Sequence, residues 1–180
     1  MIKGIRLRNF RGVIKGDLRL SPLTILIGPN NSGKTTILEA LLLLHGLNRD
    51  IAGIYSLDVS SRLHRVLKSE GLDYLIYGYG AKVKNAVITY LIRDKYRHIA
   101  IYVDGKHVLF YFVLGNNQDL TDKLLNADPD VLKSMGNKIA RINRFSASGG
   151  FNPFRLCNVL FVMIGLGIIT IITFIGCGLT

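Results

Sequence analysis

The stretch Gly28-Pro29-Asn30-Asn31-Ser32-Gly33-Lys34-Thr35 constrains this chain more than any other. Before it runs Leu23-Thr24-Ile25-Leu26-Ile27, nearly continuous and apolar, which predicts a strand buried on both faces. After it, Lys34 to His45 is rich in strong helix formers, and Gly46 is a natural stop. Strand, glycine-rich loop and helix in that order form a phosphate cradle. Successive backbone N–H groups wrap an anion, and the helix points its positive end at the same charge. Gly28 and Gly33 permit backbone angles and close approach that a Cβ would forbid. Lys34 adds a point charge toward the β- and γ-phosphates, and the Thr35 hydroxyl is placed to ligate Mg²⁺. The pattern implies nucleotide binding.

The rest of the composition is compatible with that reading. The chain has 180 residues, enough for one domain and too few for two full-sized ones. Hydrophobic residues at 49% against 19% charged exclude a disordered chain. Two cysteines, Cys157 and Cys177, exclude a disulfide-stapled scaffold. Lysines and arginines number 23 against 12 acids, for a net charge of +11. That excess favours polyanionic partners: nucleotide, nucleic acid or an anionic membrane surface. The start carries no secretory signal, so a cytoplasmic body is expected.

Periodicity supplies the remaining elements. Residues 2–27 read as two strands joined by a turn, the first carried by Ile5 and Leu7 alternating with Arg6 and Arg8. A helix is expected over 60–68, closed by Gly71. Residues 86–92, 99–103 and 108–114 read as an antiparallel meander with Asp104-Gly105 at the centre of a hairpin turn. That pairing puts Ile99, Ile101, Val103, Val108, Phe110 and Phe112 on one face, and His98, Tyr102, His107, Leu109 and Tyr111 on the other. The two histidines lack a third ligand, so a structural role is expected for them. Asp128-Pro129 reads as an N-cap and first helical residue, starting a helix with Val131, Leu132, Met135 and Ile139 on one side. The basic set Lys3, Arg6, Arg8, Arg11, Lys15 and Arg19 reads as the solvated face of an edge strand, with DNA contact as the alternative.

The run Ile5-Arg6-Leu7-Arg8-Asn9-Phe10-Arg11-Gly12, then Leu23 to Ile27, then Gly28 to Ala40, resembles the amino-terminal end of ABC-type ATPases related to SMC, RecF and OLD proteins. Close matching covers about the first 45 residues, and the meander is similar in kind to that family's first lobe. The resemblance implies an α/β fold and an ATPase whose heads dimerise around two nucleotides, acting on DNA or in phage defence. It carries over Gly28, Pro29, Asn30, Asn31, Ser32, Gly33, Lys34, Thr35 and Thr36 as contacts to ATP and Mg²⁺, and places Arg11 near the nucleotide.

Other parts of the family pattern are missing. The family needs four apolar residues followed by Asp-Glu, and Ala100 to Asp104 is followed by Gly105, which fits the hairpin better. Ser148-Gly149-Gly150 resembles the signature Ser-Gly-Gly, yet Phe151-Asn152-Pro153 would break the helix expected next. Gln118 follows the meander where the family has a Mg²⁺-sensing glutamine, and a solvated loop residue explains it better. No acidic residue follows Asp130, so a general base for hydrolysis is not visible. An Asn-Lys-x-Asp guanine-reading element is also absent.

Arg155 is the last charged residue, and the stretch 156–180 carries no charge. It is long enough for a membrane-spanning helix of about 20 residues, with Lys138, Arg141, Arg144 and Arg155 on its cytoplasmic side. Two other readings stand beside it: a truncated or frameshifted ATPase, and a buried core segment in which 159–162 forms the next sheet strand. The sequence thus predicts a P-loop lobe over 1–155 followed by a hydrophobic tail over 156–180. It would bind MgATP, and it would either await a second ATPase half or homodimer partner, or signal occupancy from a membrane through 156–179.

Overall fold

A six-stranded antiparallel sheet organises the chain in the computed structural model, which describes residues 1–44, 50–51, 54–55, 72–105, 107–115 and 119–143. Its strands are β1 (Ile2–Phe10), β2 (Val13–Arg19), β5 (Asn85–Ile92), β6 (Lys95–Asp104), β7 (His107–Gly115) and β8 (Asn137–Asn143), in the order β2-β1-β5-β6-β7-β8. A separate pair joins β3 (Asp50–Ile51) to β4 (Ile54–Tyr55). The helices are α1 (Lys34–Leu44), α2 (Leu120–Leu125) and α3 (Pro129–Met135).

Tight turns set the meander. β5 and β6 are joined by Arg93-Asp94 between the paired Ile92 and Lys95, and both turn residues have positive φ, 47° and 65°. That is the geometry whose twist matches flanking strands. β6 and β7 close with Asp104 paired to His107, so the turn is centred on Gly105 and the residue after it, one position later than the sequence reading placed it. Gly105, at φ 53°, supplies the left-handed conformation. Asp104 therefore ends a hairpin strand. The shift of the turn moves each pairing by two residues, to Ile99 with Phe112, Ile101 with Phe110 and Val103 with Val108, and so leaves the expected residues on one face.

Side-chain alternation then builds a core on each face of the sheet. On one face Ile5, Leu7, Ile88, Tyr90, Ile99, Ile101, Val108 and Phe110 pack with Ala40, Leu41 and Leu43 of α1. The Tyr90 hydroxyl donates to the Ala40 carbonyl, tying β5 to the helix. On the other, Val87, Ala100, Leu109, Tyr111 and Val113 pack beneath Leu124, Ala127 and Leu132 of the α2–α3 segment. Each such buried aliphatic or aromatic side chain contributes about 1.5–3 kcal/mol.

Three expectations need correction. The apolar run 23–27 is not a strand buried on both faces: Leu23, Ile25 and Ile27 are 59%, 56% and 89% exposed. Thr24 to Gly28 carry no strand pairing, and Leu23 makes a single bridge. The second strand of the amino-terminal hairpin is instead β2, whose residues alternate charged with apolar and whose outer edge is open. The helix begun at Asp128-Pro129 stops at Met135, and Ile139 belongs to β8. The reason is Gly136, extended at φ −160° and pressed so close to β7 that a Cβ would meet Val113 Cγ2 at 2.5 Å and the Phe112 carbonyl at 2.6 Å. From there the chain pairs with β7 as an edge strand.

The helix expected over 60–68, Gln118, Ser148-Gly149-Gly150 and the tail 156–180 with both cysteines lie outside the described residues. Among the described residues no helix is long and apolar enough to cross a membrane.

Candidate functional site

Residues 28–33 form a short exposed loop directly ahead of α1. Two left-handed residues bend it, Asn31 at φ 65° and Gly33 at φ 87°, and the Ser32 N–H donates to the Pro29 carbonyl at 3.3 Å. Asparagine tolerates that conformation better than most side chains, and glycine at no cost. At the loop's entry a Cβ on Gly28 would meet Ser32 Oγ at 2.8 Å, so a side chain there would make Ser32 turn away from the Lys34 ammonium.

Lys34 begins the helix, and its side chain turns back over the loop. Its Nζ donates to the carbonyls of Gly28 at 2.7 Å and Pro29 at 2.6 Å, and to Ser32 Oγ at 3.2 Å. The ammonium is thereby fixed at the loop, next to the first N–H groups of α1. Those groups have no intrahelical acceptor, and no acidic residue in the first turn offsets the helix's positive end. Thr35 is exposed beside them, whereas Thr36 is buried. Asn30 and Pro29 lie on the exposed side of the loop. The sequence-predicted set 28–36 is therefore one continuous feature, with Thr36 turned into the protein.

Arg11 is held differently. It sits in the turn between β1 and β2 with φ 54°, and its N–H donates to the Leu75 carbonyl at 3.0 Å. Its guanidinium lies 2.7 Å from Glu39 Oε2 and 5.9 Å from the centre of the Tyr74 ring. Glu39 is 3% exposed and follows Thr35 by four residues, so it lies one helical turn below it on the same side of α1. Arg11 thus reaches the helix beneath its first turn. Sequence reasoning missed Glu39 and Tyr74. The available signal was a carboxylate inside the apolar run Ile37-Leu38-Glu39-Ala40-Leu41, where only a buried partner makes a charge tolerable.

The basic hairpin is largely paired with its own acids. Arg6 and Arg8 converge on Asp17 at 3.2 and 2.8 Å, and the Arg8 hydrogen bond holds the Asp17 carboxyl below its ordinary range. Lys3 pairs with Asp94 at 2.8 Å. On the α2 side of the sheet His98 is fully buried, with Nδ1 2.9 Å from Thr89 Oγ1, which in turn lies 2.9 Å from Thr121 Oγ1. Burial pushes its pKa down to about 4, so the ring is neutral and structural. His107 lies at the far end of the hairpin from it, opposite Asp104. Among the described residues no group of three or more His, Cys, Asp and Glu side chains could hold a metal ion.

Comparison with known families decides the affiliation. The AAA ATPase domain family matches residues 1–145, four-fifths of the chain. The chain belongs to the AAA ATPase domain family. Among curated members of related groups, it is 50% identical over 46 residues to the OLD nuclease of Thermus scotoductus, covering 26% of this chain and 9% of that protein. It is 32% identical over 101 residues to the DNA replication and repair protein RecF of Citrobacter koseri, and equally so to RecF of Escherichia fergusonii, covering 55% of this chain and 26% of each relative. This ATPase domain thus spans about a quarter or less of the length of these relatives. The family match over residues 1–145 takes in the whole meander.

Proposed function

We propose that this domain binds MgATP through residues 28–36 and supplies one half of an ATPase site. The observation that carries the reading is Lys34, whose ammonium is anchored on the Gly28 and Pro29 carbonyls above the open amino end of α1. A cation, unpaired helix N–H groups and a loop closed by glycine converge there, which is what a chain of phosphates requires. The loop N–H groups and Lys34 hold the β- and γ-phosphates, and the exposed Thr35 hydroxyl is the protein ligand offered to Mg²⁺. The metal, when bound, neutralises charge on the phosphate oxygens. Buried Thr36 and the Arg11–Glu39 pair fix the orientation of the helix from beneath.

Hydrolysis also needs a carboxylate to orient water. Asp104, at the end of β6 and opposite His107, belongs to a hairpin, so that group comes from a second polypeptide or a second half of the site. DNA as a partner rests on the names of the RecF and OLD relatives. It does not rest on Arg6 and Arg8, whose charges are shared with Asp17. Phosphate release measured against protein concentration tests the enzyme reading. A rate that rises with the square of concentration and vanishes in Lys34→Ala supports paired half-sites. Saturable MgATP binding with no release at any concentration means the domain binds nucleotide without hydrolysing it.

A further inference from the structure

β2 ends the six-stranded sheet, and among the described residues no strand lies along its outer edge. The direction of its backbone groups follows from the residue after it. The Leu20 N–H donates to the Lys3 carbonyl at 2.9 Å, and the register runs on without a shift through Leu18 with Ile5 and Gly16 with Leu7. Hydrogen-bonded pairs alternate along an antiparallel ladder, so Leu18 and Gly16 bond inward to β1. Lys15, Asp17 and Arg19 therefore turn their N–H and C=O groups outward, where an added strand would meet them.

The side chains along this edge define what such a strand must carry. One face of the β1–β2 hairpin holds Arg6, Arg8, Lys15 and Arg19 against a single acid, Asp17. Asp17 is engaged by Arg6 and Arg8 at 3.2 and 2.8 Å. Lys15 stands directly opposite Arg8, a like-charge pair that is destabilising. Lys15 and Arg19 are exposed and have no ion pair among the described residues. On the other face Ile14 is 56% exposed and Leu18 is half-buried. A second copy of this edge would set the same cationic excess against itself. Nucleic-acid phosphates would neutralise the cations, but they only accept hydrogen bonds, which leaves the outward carbonyls and Ile14 unmatched.

We propose that β2 docks an acidic peptide as an added antiparallel strand. Its acids stand opposite Lys15 and Arg19, four positions apart on the cationic face, with an uncharged residue opposite Asp17 between them. Apolar residues opposite Ile14 and Leu18 cover the other face. The charges that repel an unselected edge thereby choose this partner. The docking surface is separate from the phosphate loop, and its occupancy does not depend on nucleotide.

Fluorescence anisotropy tests this with the full-length chain and a peptide of sequence SEITVEVS carrying an uncharged dye, at low salt. Binding should saturate at one peptide per chain, and SKITVKVS should bind at least about tenfold more weakly. The double variant Lys15→Glu with Arg19→Glu changes two exposed side chains and should reverse that preference while its thermal melt stays like the parent's. In hydrogen exchange the acidic peptide should slow the amides of Lys15, Asp17 and Arg19 at least about tenfold and leave those of Gly16 and Leu18, already bonded to β1, unchanged. No saturable binding below about 1 mM peptide overturns the proposal, as does equal affinity for the two peptides or a preference that survives the double variant. Slowing of the Lys15, Asp17 and Arg19 amides with rising chain concentration, in the absence of peptide, assigns the edge to a second copy and also overturns it. So does a twelve-nucleotide oligo(dT) that binds the parent but not the double variant while neither peptide binds.

Discussion

Glu39 is a carboxylate on the buried side of an otherwise apolar helix, and Arg11 at 2.7 Å is what makes its charge tolerable there. Removing one member of such a pair leaves the other charged and dry, which costs more than replacing both. Glu39→Gln should therefore lower stability by about 3–5 kcal/mol, read as the urea midpoint. The double variant Arg11→Met with Glu39→Gln should recover most of that loss; an unchanged midpoint in the single variant would show the pair to be dispensable. Buried His98 gives a second expectation. Its folded pKa of about 4 lies below the ordinary 6.5, so the unfolded chain takes up its proton first as pH falls. Its contribution is intact above pH 6.5 and is lost between there and about pH 4, amounting to about 3 kcal/mol. His98→Gln should flatten the stability profile across that window. Neither residue's partner was legible in the sequence. Glu39 meets Arg11 28 positions away in sequence and His98 meets Thr121 through Thr89, and periodicity carries no information about such distances.

Among the elements, those specified by local chemistry were legible and those specified by neighbours were not. The glycine-rich loop, the start of α1 at Lys34, and the shared face of Ile99, Ile101, Val108, Phe110 and Phe112 on β6 and β7 follow from turn residues and alternation alone. β2 is displaced by the apolar run 23–27, which reads as the second amino-terminal strand although Lys15 and Arg19 have the pattern of a solvated edge strand; edge position is what allows that pattern. β8 escaped notice because Val131, Leu132, Met135 and Ile139 continue a helical spacing across the break. The break lies in Gly136, and its cause is contact with β7, not a left-handed angle. Gly136→Ala should therefore cost about 1–3 kcal/mol by overpacking against Val113 and the Phe112 carbonyl. Thermal melting checks it, and a variant as stable as the parent would mean that β8 moves away freely.

For the molecule as a whole, an antiparallel sheet carries α1 on one face and the α2–α3 segment on the other, and the phosphate loop is the exposed corner where α1 begins. The fold explains why that corner is rigid beneath and open above: Tyr90 and Glu39 tie the helix down from the sheet side, and nothing acidic crowds its first turn. The sequence made the loop legible because phosphate binding demands particular residues at fixed spacing. The 23–27 run misleads, reading as a strand buried on both faces, since an apolar run carries no information about which distant parts of a chain will lie against it. The central claim is that Lys34 and its loop hold a nucleotide, and calorimetric titration of the full-length chain with ATP in excess Mg²⁺ tests it most directly. Charge-assisted hydrogen bonds of this kind contribute about 1.5–3 kcal/mol each, so saturable one-to-one binding should weaken at least about tenfold in Lys34→Ala while the folded spectrum is retained. Equal affinity in the two proteins, or no heat of binding in either, would contradict the assignment of the site.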